Sequence, residues 1–451
     1  MSRDKLEENR KMVRSITLSI MDLVKQRMDL VKQIGEIKQR LGLDVIDKHA
    51  EDELRENVIE FSKSKGLDTN FALRLLSILV DESRKIQSKS IKNGVTPTQI
   101  FTKAKELEEQ GRKIIHLEVG EPDLDPPNIV KEAVIEAIDK KRYRYTEPAG
   151  IRELRDAIKK HLNLEHNNIM ITPGGRFGIY LAISLLNEGE EVIVIDPSWP
   201  AYKDCAKLAN VNTRVIRTDL DNNWNVDIEE LHNAINDNTK MLILNYPNNP
   251  TGKILDDNTI RSIVEIAKDN NLLILSDEVY SYYSFKEFTS IKDYDVDYIL
   301  ISSFSKAYSM TGFRVGFAAS NNPNIIKRMV KHQAVALTSV AEPMQYAALK
   351  ALNEDHHIYA KIMRERLAFL AKRLEDMNLS FYKPDGGMYI FARVNKDGFD
   401  AQEFAYKMLE EGLAITPGTA FGDYKNYLRI SACNDINVLE EGLNILERFV
   451  R

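Results

Sequence analysis

The stretch Tyr298-Ile299-Leu300-Ile301-Ser302-Ser303-Phe304-Ser305-Lys306 opens on four consecutive apolar residues and ends on a lone lysine. Shortly after it comes Thr311-Gly312-Phe313-Arg314-Val315-Gly316. A run that is apolar at every position suits a strand buried on both faces of a mainly parallel sheet. In open sheets of that kind ligands sit beyond the carboxyl ends of the strands, so the residues just past each run carry the information. A single lysine after a strand is usually a surface residue. Its weight here comes from the residue types at the ends of the other runs.

Working outward, similar runs recur at Ile114-Ile115-His116-Leu117, Ile169-Met170-Ile171, Val192-Ile193-Val194-Ile195, Met241-Leu242-Ile243-Leu244 and Leu272-Leu273-Ile274-Leu275, alternating with helical stretches. After Ile171 come Thr172-Pro173-Gly174-Gly175-Arg176 and a helix starting near Phe177. A glycine turn at a helix N-terminus offers free backbone N–H groups to a phosphate, although a plain tight turn has the same signature. After Ile195 come Asp196-Pro197-Ser198-Trp199-Pro200. A tryptophan at a strand tip belongs either to the core or over a flat ring. After Leu244, two prolines and a glycine in Asn245-Tyr246-Pro247-Asn248-Asn249-Pro250-Thr251-Gly252 fix a rigid turn that would hold Asn249 as an oriented donor. Ser276-Asp277-Glu278-Val279-Tyr280 comes after Leu275. Lysine, aspartate, tyrosine, asparagine and arginine thus all fall at strand tips that would converge.

That set has one economical chemical meaning. An amine nucleophile condenses with an aldehyde, and a carboxylate keeps a pyridine nitrogen protonated so that the ring accepts electrons. Hydroxyls, an arginine and a helix N-terminus hold a phosphate. From about Val95 to Arg451 the chain resembles the aspartate aminotransferase family of fold-type I (class I/II) pyridoxal-phosphate enzymes, with at least six motifs in family order and spacing. The resemblance implies pyridoxal 5'-phosphate as cofactor and Lys306 as the lysine that carries it and moves the proton. It implies Asp277 as the partner of the pyridine nitrogen, Tyr280 and Asn249 as donors to the ring oxygen, and Trp199 as the ring stacked over the cofactor. Ser303, Arg314, Gly174 and Gly175 fall at phosphate-binding positions. Tyr145, in Tyr145-Thr146-Glu147-Pro148-Ala149-Gly150, matches the tyrosine that reaches the neighbouring subunit's phosphate. Arg429, in Tyr427-Leu428-Arg429-Ile430-Ser431, resembles the arginine that grips the substrate carboxylate bidentately. Gly120, in Gly120-Glu121-Pro122-Asp123, is similar to the glycine lining that end of the site. One position departs from the family: Arg176 stands where a hydroxyl or a lysine often sits. It serves either the phosphate or a second carboxylate on the substrate, and the second reading is favoured.

The first 96 residues have another texture, with no proline and only Gly35, Gly42, Gly66 and Gly94. Ile16, Ile20, Leu23, Leu30, Ile34, Ile37 and Leu41 recur at three- and four-residue spacing, which predicts one long amphipathic helix broken by Gly42. A second helix is expected from an N-cap at about Asp47 to about Lys65, stopped by Gly66. A third opens at Asp68 or Thr69 with Phe71, Leu75, Ile78 and Leu79 on its apolar stripe. A first helix of about 38 residues reaches roughly 57 Å, too long for two short helices of the same chain to cover. Pairing of two long helices in a dimer is the simplest solution.

Arg27 and Lys38, eleven residues apart, point to one side of the first helix. Asp47 and Glu51 share a helical face, as do Ser83 and Gln87. A solvated charged surface is the ordinary reading of such residues, yet the arrangement resembles the all-helical (AroQ-class) chorismate mutases over residues 5–90. The resemblance implies Arg10 as an arginine lent to the partner subunit's site, with Arg27 and Lys38 at the carboxylate- and ether-binding positions. It implies Asp47, Glu51, Ser83 and Gln87 where the family holds the substrate hydroxyl, a carboxylate and the ether oxygen. Ala50 stands where that family usually has arginine. Chorismate to prephenate is a unimolecular rearrangement that needs a folded dicarboxylate and stabilised negative charge on an ether oxygen.

The bulk numbers exclude other classes. A chain of 451 residues suits two or three domains, and its 43% hydrophobic and 29% charged composition is that of a soluble globular protein. A net charge of -6 gives no reason to expect nucleic acid. The charged N-terminus lacks a signal-peptide core, and no apolar run approaches membrane-span length, so a cytoplasmic location and no membrane partner are expected. Two cysteines, Cys205 and Cys433, build neither a disulfide framework nor a zinc site. No metal is expected.

The expected organisation is an all-α, three-helix dimeric domain at 1–90 followed by an α/β domain at 91–451. The latter divides into a large cofactor part (about 140–345) with a mainly parallel sheet and a small α/β part (about 91–139 plus 346–451). The expected function is a homodimeric or higher-order bifunctional enzyme of phenylalanine and tyrosine biosynthesis, acting on chorismate, amino acids and keto acids. The runner-up is an aspartate or aromatic aminotransferase whose head only dimerises. A non-enzymatic regulator with a DNA-binding head is disfavoured by the long unbroken first helix and by Arg429, Tyr145 and Lys306 together.

Overall fold

The computed structural model describes residues 3–41, 48–90 and 96–450, without the side chains of residues 3, 4, 36, 39–41, 48, 49, 85 and 87–90. The chain divides into two compact units, Met1–Asn93 and Gly94–Arg451.

Among the described residues the first unit is three helices: α1 (Arg3–Leu41), α2 (Lys48–Ser64) and α3 (Thr69–Ser90). As its apolar spacing requires, α1 runs unbroken to the residue before Gly42. Gly66 ends α2 at φ +65, and the Leu67 N–H returns to the Ser62 carbonyl at 2.9 Å. Of the two candidate openers of α3, Asp68 is the cap, accepting from the Phe71 N–H at 2.7 Å. The N-cap expected at Asp47 lies outside the described residues. Packing of α1 and α2 against α3 leaves most of the apolar stripe of α1 uncovered. Val31 is buried, whereas Val13, Ile16, Ile20, Leu23, Leu30, Ile34 and Ile37 are all exposed.

The second unit starts with α4 (Pro97–Glu109), where Thr96 and Gln99 form a reciprocal capping box and Pro97 takes the first turn. Among the described residues thirteen strands come after it: β1 (Ile115–His116), β2 (Ile169–Thr172), β3 (Glu191–Asp196), β4 (Asn212–Arg217), β5 (Thr239–Asn245), β6 (Leu273–Asp277), β7 (Tyr298–Ser303), β8 (Gly316–Ala319), β9 (Ser380–Phe381), β10 (Tyr389–Arg393), β11 (Leu413–Ala414), β12 (Thr416–Pro417) and β13 (Tyr427–Ser431). Seven form a sheet of order β2-β8-β7-β6-β5-β3-β4. It is parallel from β4 to β7 and antiparallel at β8 and β2. Successive residues of β3, β5 and β7 enter opposite cores, as when Ile193, Leu242 and Leu300 face one and Val192, Ile243 and Ile301 the other. Burial on both faces is why these strands are apolar at every position.

Two of the runs stand apart from the parallel strands. The run Ile114–Leu117 lies outside the large sheet: only Ile115 and His116 are strand, paired with β11. The run at Ile169 is an edge strand paired antiparallel to β8. Strands β4, on the exposed edge, and β13, with Arg429 in the site, carry polar residues and so leave no apolar run, whereas β10 has one, Tyr389–Ala392, outside the runs named above. A further core joins Ile100, Leu117 and Ile390 to the four-stranded antiparallel sheet β12-β13-β10-β9 and to helices His357–Asp376, Ala401–Glu410 and Ile436–Val450.

Candidate active site

Strand order sets the site. Neighbouring β3, β5, β6 and β7 end side by side, so the residues just past each tip share a cavity of about 440 Å3. Gly120, Gly175, Arg176, Trp199, Asn249, Asp277, Tyr280, Ser303, Lys306, Arg314 and Arg429 all line it. Gly174 lies behind the lining, and Tyr145, at 89% exposure, is outside this chain's cavity altogether.

Asp277 closes β6 and is buried. Its Oδ2 accepts from the Tyr202 hydroxyl at 2.6 Å and its Oδ1 from the Val279 N–H at 3.3 Å. Burial pushes its carboxyl up to about 6, and the two hydrogen bonds oppose that rise. Lys306 lies in the short helix Phe304–Ala307 just beyond β7 and donates to the Gly120 carbonyl. Burial lowers its pKa, which favours the neutral, nucleophilic amine. The Tyr280 hydroxyl is 3.1 Å from that of Tyr389. A Cβ on Gly120 would stand 1.6 Å from the Tyr389 hydroxyl, so only glycine fits there.

Arg429, on β13, is buried and held from several sides. Nη1 donates to Asn249 Oδ1 at 3.0 Å, Nη2 to the Glu118 carbonyl, and its guanidinium lies 4.3 Å from the Tyr389 ring centroid. Its buried Nε has no partner among the described residues, leaving a donor for a substrate carboxylate. Asn249 is fixed in turn by its N–H bond to Asn245 Oδ1 at 3.0 Å.

Opposite this end, Gly174 (φ +79) leads into the helix Gly175–Ile183, whose first N–H groups have no side-chain cap. A Cβ on Gly174 would come within 2.6 Å of Arg314 Nη2, and one on Gly175 within 3.1 Å of Val279. Ser303 and Ser305 bond to each other at 2.9 Å beside them. A cradle that excludes Cβ atoms, a helix N-terminus, two hydroxyls and a guanidinium suit a phosphate. Buried Asp277 suits a protonated ring nitrogen. The residues present therefore fit pyridoxal phosphate. Arg176 lines the cavity as an exposed residue and sits over the Trp199 ring, 4.7 Å from a ring centroid.

Tyr202 and Tyr389 belong to the site, although sequence reading does not reach them. Tyr202 sits one helical turn after Trp199, the one signal that could have found it. Tyr389 opens the apolar run Tyr389–Ala392 after Gly386-Gly387-Met388, and that run marks a strand but not a site residue. A hydrogen bond from Thr311 to Glu121 also joins two loops at the cavity.

In the first unit, Arg27 Nη1 donates to the Leu79 carbonyl at 3.1 Å and to the buried Ser83 hydroxyl. Lys38 is half-buried on the same helix. Glu51 is held by Arg84, a residue that sequence reading passes over. Arg10 is exposed, 3.6 Å from Glu7. Asp47 and the Gln87 side chain lie outside the described residues.

Residues 112–446 match the family model described as aminotransferase class I and II, and residues 9–88 match chorismate mutase type II. That aminotransferase family depends on pyridoxal phosphate. An aspartate aminotransferase of Pyrococcus horikoshii is 36% identical, covering 78% of this chain and 93% of its own length. Aromatic-amino-acid aminotransferase 2 of Thermococcus litoralis is 34% identical, covering 79% and 96%. The crystal structure of an aspartate aminotransferase from Thermotoga maritima superposes with a TM-score of 0.75 at 33% identity, covering 79% of this chain and 98% of that one. Among the described residues no helix is long and apolar enough to cross a membrane.

Proposed function

This chain belongs to the class I and II aminotransferase family, and on that premise we propose that it is a cytoplasmic, homodimeric, bifunctional enzyme of aromatic amino acid biosynthesis. Residues 1–90 rearrange chorismate to prephenate. Residues 91–451 move an amino group between glutamate or aspartate and a prephenate-derived or aromatic keto acid. The observation that carries the second activity is the convergence of Lys306, Asp277, Asn249, Arg314 and Arg429 on one cavity.

Bound there, pyridoxal 5'-phosphate supplies an aldehyde for the amino group and a ring that accepts the electron pair released at the substrate Cα. Arg429, pre-oriented by Asn249 and Glu118, takes the carboxylate next to that carbon. The Lys306 amine, whose protonation burial disfavours, would take the Cα proton and hand it back as the amino group changes carrier. Asp277, kept in place by Tyr202, holds the ring nitrogen's proton. Ser303, Arg314, Gly174, Gly175 and a second subunit's Tyr145 position hold the phosphate, while Tyr280 and Asn249 serve the ring oxygen and Trp199 covers the ring. Arg176, braced on Trp199, takes the distal carboxylate of glutamate, aspartate or prephenate.

In the head, Arg27, Lys38 and a second copy's Arg10 position bind the dicarboxylate. Asp47, Glu51 and Ser83 orient it, and Lys38 and Gln87 face the ether oxygen as charge develops. The exposed apolar stripe of α1 supports pairing of two heads. That stripe also favours the second reading, an aspartate or aromatic aminotransferase whose head only dimerises. Chorismate consumption by the purified full chain, measured beside transamination of prephenate, phenylpyruvate, 4-hydroxyphenylpyruvate and oxaloacetate, tests both. Transamination without chorismate consumption leaves the second reading standing.

A further inference from the structure

Position 50 and its surroundings carry more than the proposed roles use. Arg84 on α3 reaches Glu51 on α2 through two parallel bonds, Nε to Oε1 at 2.9 Å and Nη2 to Oε2 at 2.5 Å. A fork-to-fork pair of this kind fixes a carboxylate in plane as well as neutralising it. The ordinary partner for a surface arginine would be Asp81, one turn back on its own helix. That contact is longer, 3.8 Å from Nη1. The residue before it, Ser83, takes the hydrogen bond of Arg27 from α1. Consecutive residues of α3 therefore tie the substrate-facing groups of α1 and α2 together.

Charge makes this arrangement matter. A dicarboxylate entering beside Glu51 meets a like charge, and Ala50 provides none to offset it. The Arg84 and Glu51 side chains are 41% and 27% exposed, so solvent screening limits what the clamp contributes to about one charge-assisted contact.

We propose that Arg84 is a positioning residue of the mutase pocket, clamping and neutralising Glu51 in place of an arginine at position 50. The proposal rests on the chorismate mutase reading of residues 1–90. Its test uses the full-length chain and chorismate consumption. Arg84→Ala should raise KM about tenfold, the discrimination expected of one charge-assisted contact, while kcat changes less than about threefold, as for an interaction equal in ground and transition states. Ala50→Arg added to Arg84→Ala should restore KM. In a Glu51→Gln background, Arg84→Ala should have no further effect, because the residue acts through Glu51. Should Arg84→Ala lose helical circular dichroism, Arg84→Gln carries the same three expectations. An unchanged KM, no rescue by Ala50→Arg, or an undiminished effect beside Glu51→Gln overturns the proposal while the mutase reading survives. A wild-type chain that consumes no chorismate overturns both.

Discussion

Replacing Arg176 by methionine separates the two roles open to that side chain. The residue is exposed and lines the cavity, and its guanidinium rests 4.7 Å from a Trp199 ring centroid. A charge-assisted bond to a carboxylate contributes about 1.5–3 kcal/mol. Exposure argues for the lower end, while the Trp199 face already restricts the side chain, so little entropy is lost on binding. About 1.5 kcal/mol corresponds to roughly tenfold in kcat/KM. The lost cation–π contact, about 0.5–1 kcal/mol at exposed sites, weighs on every substrate alike and drops out of the comparison. Assays on cofactor-saturated protein should show glutamate, aspartate and prephenate losing about tenfold or more, with phenylalanine within about threefold of wild type. A uniform loss across both substrate classes, accompanied by weaker cofactor binding, would refute the reasoning and assign Arg176 to the phosphate.

Borohydride reduction of the cofactor-loaded protein followed by peptide mapping should find the cofactor fixed to Lys306 alone, and Lys306→Ala should keep the fold while losing transamination by about 10^3-fold or more; label on another lysine overturns that assignment. Burial raises the Asp277 carboxyl from 3.8 to about 6, so the folded protein holds a proton that the unfolded chain releases. The stability this group contributes is complete below the unfolded value and is lost as pH rises through about 6. Asp277→Asn should therefore raise the Tm of cofactor-free protein at about pH 8, less so at about pH 5, and weaken cofactor binding; equal Tm shifts at both pH values would contradict the burial argument. Gly120→Ala forces Tyr389 aside and should lower stability by about 1–3 kcal/mol, read by denaturant unfolding, with loss of kcat/KM. Lys38→Ala should lower full-length chorismate turnover by about 10^2- to 10^3-fold, as when one oxyanion donor is deleted; unchanged turnover would leave the head as a dimerisation arm.

Much of the site was legible because its chemistry is local. Lys306, Asp277, Asn249 and Trp199 each sit within a few residues of an apolar run, and a strand tip is where an open parallel sheet binds its ligand. Glycines 174 and 175 were readable for the same reason: a turn that admits no Cβ leaves its mark in residue type. The two tyrosines were not. Tyr202 donates to Asp277 across 75 residues of chain, and Tyr389 meets Tyr280 across 109. Neither distance in sequence has a signature, since a tyrosine in a first helical turn or a strand reads as core. Arg84 likewise looks like one more surface cation until the α2–α3 packing sets it against Glu51.

The order of elements, the three-helix head, the buried parallel strands and the residue types at their tips were determined by the sequence itself. Periodicity, glycine and capping residues act within a turn or two of helix or strand, over distances that the chain fixes covalently. Which strands became neighbours, that the run at Ile114 pairs with β11, and which partners hold Asp277, Arg429 and Glu51 were decided only by tertiary structure. Those outcomes depend on burying apolar faces against distant segments and on satisfying each buried polar group in the space that remains, and neither condition exists until the chain has folded.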